Sequence, residues 1–161
     1  MCLSDIYHNI GVIYDHQSRL EEAIDYYDKS IRIREKILGE SHPITALTYE
    51  NMAQVLKDQK KFKKAIEYQN KVIAIRKKHL GVNTYDYALA LHNMGLILFK
   101  DRNLPQAFPY FQKAYKLREQ ILGEEHEATK LSRHLYEEIE KRLSEKKKRV
   151  TSLSHSINTT R

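Results

Sequence analysis

Apolar residues recur along this chain at steps of three and four, the spacing of one helical face. Ile6, Ile10, Ile13 and Tyr14 predict a first helix over residues 4–17. After a turn at Ser18 and Arg19, Ala23, Tyr27, Ile31 and Leu38, with Ile24 and Ile37 beside them, predict a second over 20–38. Gly39 follows the last apolar position and is expected to take the left-handed C-terminal cap. Pro43 suits the first turn of the next helix, where its missing N–H would be unpaired anyway. The same plan follows twice more, with helices over 44–59 and 62–80, then 84–100 and 104–122, closed by Gly81 and Gly123. Pro109 removes an early backbone bond in the last of these and is expected to bend or loosen its start. A final helix over 125–147 shows a single apolar stripe, Leu131, Leu135, Ile139 and Leu143. The rest of that helix is charged, the pattern of a terminal cap.

The pattern has a period. IRIREKILG at residues 31–39 returns as IAIRKKHLG at 73–81 and YKLREQILG at 115–123, each 42 residues after the last. Asn9, Asn51 and Asn93 fall into line, as do Ala23, Ala65 and Ala107, and Arg34, Arg76 and Arg118. A fixed period between 20 and 50 residues marks a stacked-repeat fold. The chain therefore divides into repeats at 1–45, 46–87 and 88–129, a capping helix at 130–147, and a polar tail at 148–161 expected to be disordered. Small residues at Gly11, Ala53 and Gly95 on the first helices, and at the three aligned alanines on the second, are expected to face each other.

Composition narrows the class. Apolar residues make up 41% of the chain, charged residues 30%, and glycine and proline are scarce, which excludes a loop-rich β fold. No apolar run approaches the ~20 residues of a membrane span, so no membrane partner is expected. The single cysteine, Cys2, permits no internal disulfide, and the start lacks signal-peptide character, so a cytoplasmic location is expected. The net charge of +7 is uneven. Repeat 1 carries −3, repeat 2 carries +5, repeat 3 is neutral, and residues 130–161 carry +5. That distribution argues against one continuous nucleic-acid face, and no specific nucleic acid is expected.

The run Tyr7-His8-Asn9-Ile10-Gly11, then Tyr14, Leu20, Ala23 and Tyr27, resembles the tetratricopeptide repeat (TPR), whose usual period is about 34 residues. The longer second helix ending in Arg34 to Pro43, REKILGESHP, resembles the repeats of kinesin light chains. The resemblance covers residues 4–142 and implies an all-α fold, a right-handed α-solenoid of antiparallel helix pairs with a C-terminal capping helix. Ser18, Lys60 and Arg102 stand where the family usually places a glycine, so distorted turns are expected there.

In that family the first helices line a concave groove. The resemblance places His8, Asn9 and Val12 there from repeat 1, Glu50, Asn51 and Gln54 from repeat 2, and His92, Asn93, Leu96 and Lys100 from repeat 3. It places Asp5, His16, Leu47, Asp58 and Leu89 in the groove as well. A carboxamide donates and accepts at once, so the asparagine ladder suits an extended peptide backbone. The competing reading is that each asparagine bonds a neighbouring helix. Leu47 and Leu89 at a clamp position argue against recognition of a chain-terminal carboxylate. His8, His92 and His134 share an aligned position, but first helices of successive repeats lie more than about 8–10 Å apart, too far for ligands of one metal ion. No metal and no cofactor is expected. The three aligned arginines are expected to pair with acids of the next repeat. No catalytic motif is present. The expected function is a non-catalytic, adaptor-type module that binds a peptide segment of a protein partner. The alternatives are a fragment that self-associates, here as a weak homodimer through its N-terminal end, or an array regulating a separate enzyme.

Overall fold

The computed structural model describes residues 2–158, with side chains to residue 149. Seven helices and no strand occur among the described residues. They are α1 Leu3–His16, α2 Leu20–Leu38, α3 Pro43–Asp58, α4 Phe62–Leu80, α5 Tyr85–Lys100, α6 Leu104–Leu122 and α7 Glu127–Asn158. The pairs α1/α2, α3/α4 and α5/α6 pack within themselves, and α2 meets α3, α4 meets α5 and α6 meets α7 between pairs. The layout is an α-solenoid.

Two kinds of turn recur. Within each pair the chain turns at Ser18, Lys60 and Arg102, with φ of 59°, 60° and 59°. The turn residue N–H bonds three residues back, and the next N–H five back, as in Arg19 to the Tyr14 carbonyl at 2.9 Å. This is a regular Schellman cap built without glycine, so the expected distortion is absent. Between pairs, Gly39, Gly81 and Gly123 have φ of 84–90° and ψ of 158–179°. That is an extended positive-φ conformation, not the compact left-handed cap expected, and it is essentially closed to residues with a side chain. Beyond it, the His42 ring accepts from the Ile44 N–H, and the Thr84 hydroxyl from the Tyr87 N–H, opening α3 and α5. Pro109 lies inside α6, which runs through it.

The pairs close on an unequal contact. Gly11 meets the Tyr27 ring, where an added Cβ would lie 2.6 Å from a ring carbon, and Gly95 meets Phe111, where it would lie 2.9 Å away. The small residue of the first helix therefore faces the bulky residue of the second, not the aligned alanine. Ala53 keeps its Cβ because the aligned partner in repeat 2 is the slimmer Gln69, which bonds the Ala90 carbonyl at 2.8 Å.

α7 differs from expectation at both ends. It continues to Asn158, through much of the stretch expected to be disordered; its polar sequence has no packing demand, but it contains no Gly or Pro to end a helix. Residues 159–161 lie outside the described part. Leu131 is 53% exposed, and the stripe that covers repeat 3 is Thr129, Ser132, Leu135, Ile139 and Leu143. The helix is rotated so that its first buried positions meet the polar C-terminal half of α6.

Candidate functional site

The arginine at the same place in each second helix ties the pairs together. Arg34, Arg76 and Arg118 are 5%, 8% and 2% exposed. In each, Nη1 donates to a carbonyl ten residues on, in the first turn of the next helix: Ile44 at 3.0 Å, Asp86 at 3.0 Å and Ala128 at 3.1 Å. Those carbonyls of the first turn thereby gain a charged donor. Nη1 of Arg34 also donates to the Thr48 hydroxyl at 2.6 Å, and that of Arg118 to the Ser132 hydroxyl at 2.7 Å. The acids come from the arginine's own repeat, not the next one as expected. Nη2 of Arg34 meets Asp5 at 3.0 Å, and Arg76 grips Glu50 with both terminal nitrogens, at 3.0 and 2.6 Å. Bonds from the Cys2 thiol and amide, then Arg34, hold the Asp5 carboxyl down at about 2.

These contacts shape the face shared by α1, α3 and α5. The asparagines do not act alike there. Asn9 is exposed, and its side chain makes no hydrogen bond among the described residues. Asn51 is half-buried beside the Tyr27 phenol, whose pKa burial drives up and Asn51 draws partly back. Asn93 donates to Glu50 at 2.9 Å, joining α5 to α3. His8 is half-buried, with Nδ1 3.2 Å from the Thr48 hydroxyl, and burial followed by Arg34 lowers its pKa. His92 is not on the surface as expected. It is 4% exposed, its ring packs edge-on against Phe111, and Nδ1 lies 3.1 Å from the Ser132 hydroxyl. Burial, then Arg118, pushes its pKa down to about 3, so the ring is neutral. Val12, Gln54 and Leu96 are half-buried, and Lys100 is exposed. Gln54 accepts from Lys57 at 2.6 Å.

His8 and His92 are each committed to a different hydroxyl, and His134 is exposed, so the aligned histidines are not brought together. The sequence reading missed a cleft of about 280 Å³ at one end of this face, lined by Ile44, Leu47, Ile75, His79 and Leu80. The exposed Leu47, where repeat 1 has Asp5, was the available signal. No helix among the described residues is long and apolar enough to cross a membrane.

The sequence profile of the tetratricopeptide repeat family matches residues 3–78 and 86–148. The chain belongs to that family. Its TPR fold is similar to that of repeats described as kinesin light chain repeats. The nearly identical TPR-like repeats of a Podosopora anserina protein described as a kinesin light chain superpose with a TM-score of 0.76 at 18% identity, covering 84% of this chain and 64% of that one. BtubC (BKLC) of P. vanneervenii superposes with a TM-score of 0.73 at 17% identity, over 94% and 65%. The TPR domain of Sgt2 from Aspergillus fumigatus gives 0.67 at 19% identity, over 92% and 83%. This TPR chain thus spans somewhat under two thirds of the length of the first two. No curated protein matches it in sequence. The TPR is a fold for protein interaction and scaffolding.

Proposed function

We propose that this TPR chain binds an extended peptide segment of a partner protein along the face of α1, α3 and α5, in an adaptor role. The observation that carries this is the division of labour on that face. Asn93–Glu50 and His8–Thr48 join successive first helices, while Asn9 and Asn51 keep hydrogen-bonding capacity beside the half-buried Val12 and Leu96 and the exposed Leu47. Carboxamides serve a peptide backbone, and the apolar side chains serve what it carries. Peptides selected from a random library against the chain test it. Replacing Asn9 and Asn51 together by alanine is expected to weaken the selected peptides by about 1 kcal/mol per lost bond with helicity unchanged. Equal affinity for the double variant contradicts a carboxamide role.

A second reading is favoured by α1. Leu3, Ile6 and Ile13 are exposed, whereas the aligned Thr45, Thr48 and Val55 are fully buried against the preceding pair. A second copy placed symmetrically, α1 to α1, would cover both faces. Sedimentation equilibrium is expected to show weak dimers at micromolar concentration that Ile13→Lys abolishes. A strict monomer contradicts the pairing, and so does a dimer indifferent to that change.

A further inference from the structure

The three arginines share one bond of Nη1, to the carbonyl ten residues on, and differ at Nη2. In repeats 1 and 2 that nitrogen holds a carboxylate, Asp5 or Glu50. In repeat 3 it has no partner among the described residues, and no carboxylate pairs with Arg118. The reason is in the aligned positions. Where repeat 1 has Asp5, repeat 3 has Leu89, and where repeat 2 has Glu50, repeat 3 has His92. His92 cannot substitute as an anion. Its ring is buried beside Arg118 with Nδ1 against the Ser132 hydroxyl, and burial, then Arg118, keeps it neutral. The Tyr85 ring, an electron-rich group, lies 5.8 Å from the guanidinium carbon. A nearly sealed cation is left without counter-charge, an arrangement that favours any anion able to reach it. The positions that supply the acid in the other repeats lie on the α1–α3–α5 face, and in repeat 3 the approach passes the half-buried Leu89 and the exposed Tyr85.

We propose that Arg118 is a carboxylate socket, taking through Nη2 the side chain of an Asp or Glu in the peptide bound along this face. The assignment rests on the peptide-binding reading for its occupant and on the other two repeats for its chemistry. Both neighbouring arginines take a carboxylate through Nη2, Asp5 in repeat 1 and Glu50 in repeat 2, so the free Nη2 of the third suits the same group. The missing acid is delivered in trans.

The full chain tests this by melting in sodium acetate against sodium chloride at equal ionic strength. Wild type is expected to gain about 2–4 °C in acetate. Leu89→Asp, which copies repeat 1, is expected to melt higher than wild type in chloride and to gain nothing further from acetate. His92→Glu with Ser132→Ala copies repeat 2 (Glu50 and Ala90) and decides the matter should Leu89→Asp not fold. In parallel, the Arg118 Nε resonance is expected to move with N-acetylglutamate amide and to remain still with N-acetylglutamine amide. An equal acetate gain in wild type and the filled-socket variant overturns the proposal, as does an Arg118 resonance that ignores both amides. Inorganic phosphate acting as well as acetate overturns the assignment to carboxylate. Library peptides that bind without moving Arg118 refute the socket and leave the peptide reading intact. An acetate response in a chain that selects no peptide does the reverse.

Discussion

Replacing Arg76 by alanine is expected to remove about 3–5 kcal/mol of stability, the range for stripping one partner from a buried ion pair. The side chains of Arg76 and Glu50 are 10% and 14% exposed, so solvent screens little of the interaction. The loss has three parts. Glu50 keeps only Asn93, the Asp86 carbonyl at the start of α5 loses its donor, and α3, α4 and α5 lose their common tie. A typical domain has about 5–15 kcal/mol in total, so the repeat 2–repeat 3 junction should open well before the rest. Urea unfolding followed by circular dichroism checks it. Arg34→Ala should cost less, because the Asp5 side chain is 39% exposed and remains hydrated after the loss. A change below about 1 kcal/mol at Arg76 would mean that the pair behaves as a surface ion pair.

Gly95→Ala is expected to destabilise by about 1–3 kcal/mol through overpacking. The sign is informative, because the same change in an open helix interior usually gains about 1 kcal/mol. The new Cβ would sit 2.9 Å from the Phe111 ring, which is fully buried and held by His92 on its edge. Gly11→Ala should follow suit against Tyr27. Repeat 2 supplies the converse. Gln69→Phe should clash with the Cβ of Ala53 and forfeit the bond to the Ala90 carbonyl. Ala53→Gly in that background should recover the steric part but not the hydrogen bond. A double-mutant cycle on thermal or urea unfolding is expected to show a favourable coupling of at least about 0.5 kcal/mol. Additive effects would mean that the small residue and the bulky one do not meet.

Much of this was legible before the structure. The apolar spacing, the turn residues and the 42-residue period are local or strictly repeating signals, and α2, α4 and α6 begin and end where they predict. What failed depends on a single neighbour far along the chain. Asn9, Asn51 and Asn93 are aligned, yet only Asn93 meets an acid, because the residue 43 positions before it is Glu50. His8 and His92 are aligned, yet His92 is sealed between Phe111 and Ser132 while His8 is half-exposed. Alignment identified the arginines as a set, but not that each takes a carbonyl from the next helix while only Arg34 and Arg76 take an acid, each from its own first helix. α7 outran its expected end because low apolar content removes a reason to pack, not the ability of the backbone to continue its ladder.

The most direct measurement is a map of amide chemical shifts as a library-selected peptide is added to isotope-labelled chain. The perturbed amides are expected to cluster on α1, α3 and α5, around Asn9, Asn51, Leu47 and Leu89. Perturbations confined to α2, α4 and α6, or to the lysine-rich turn at residues 60–64, would contradict peptide binding along the first-helix face.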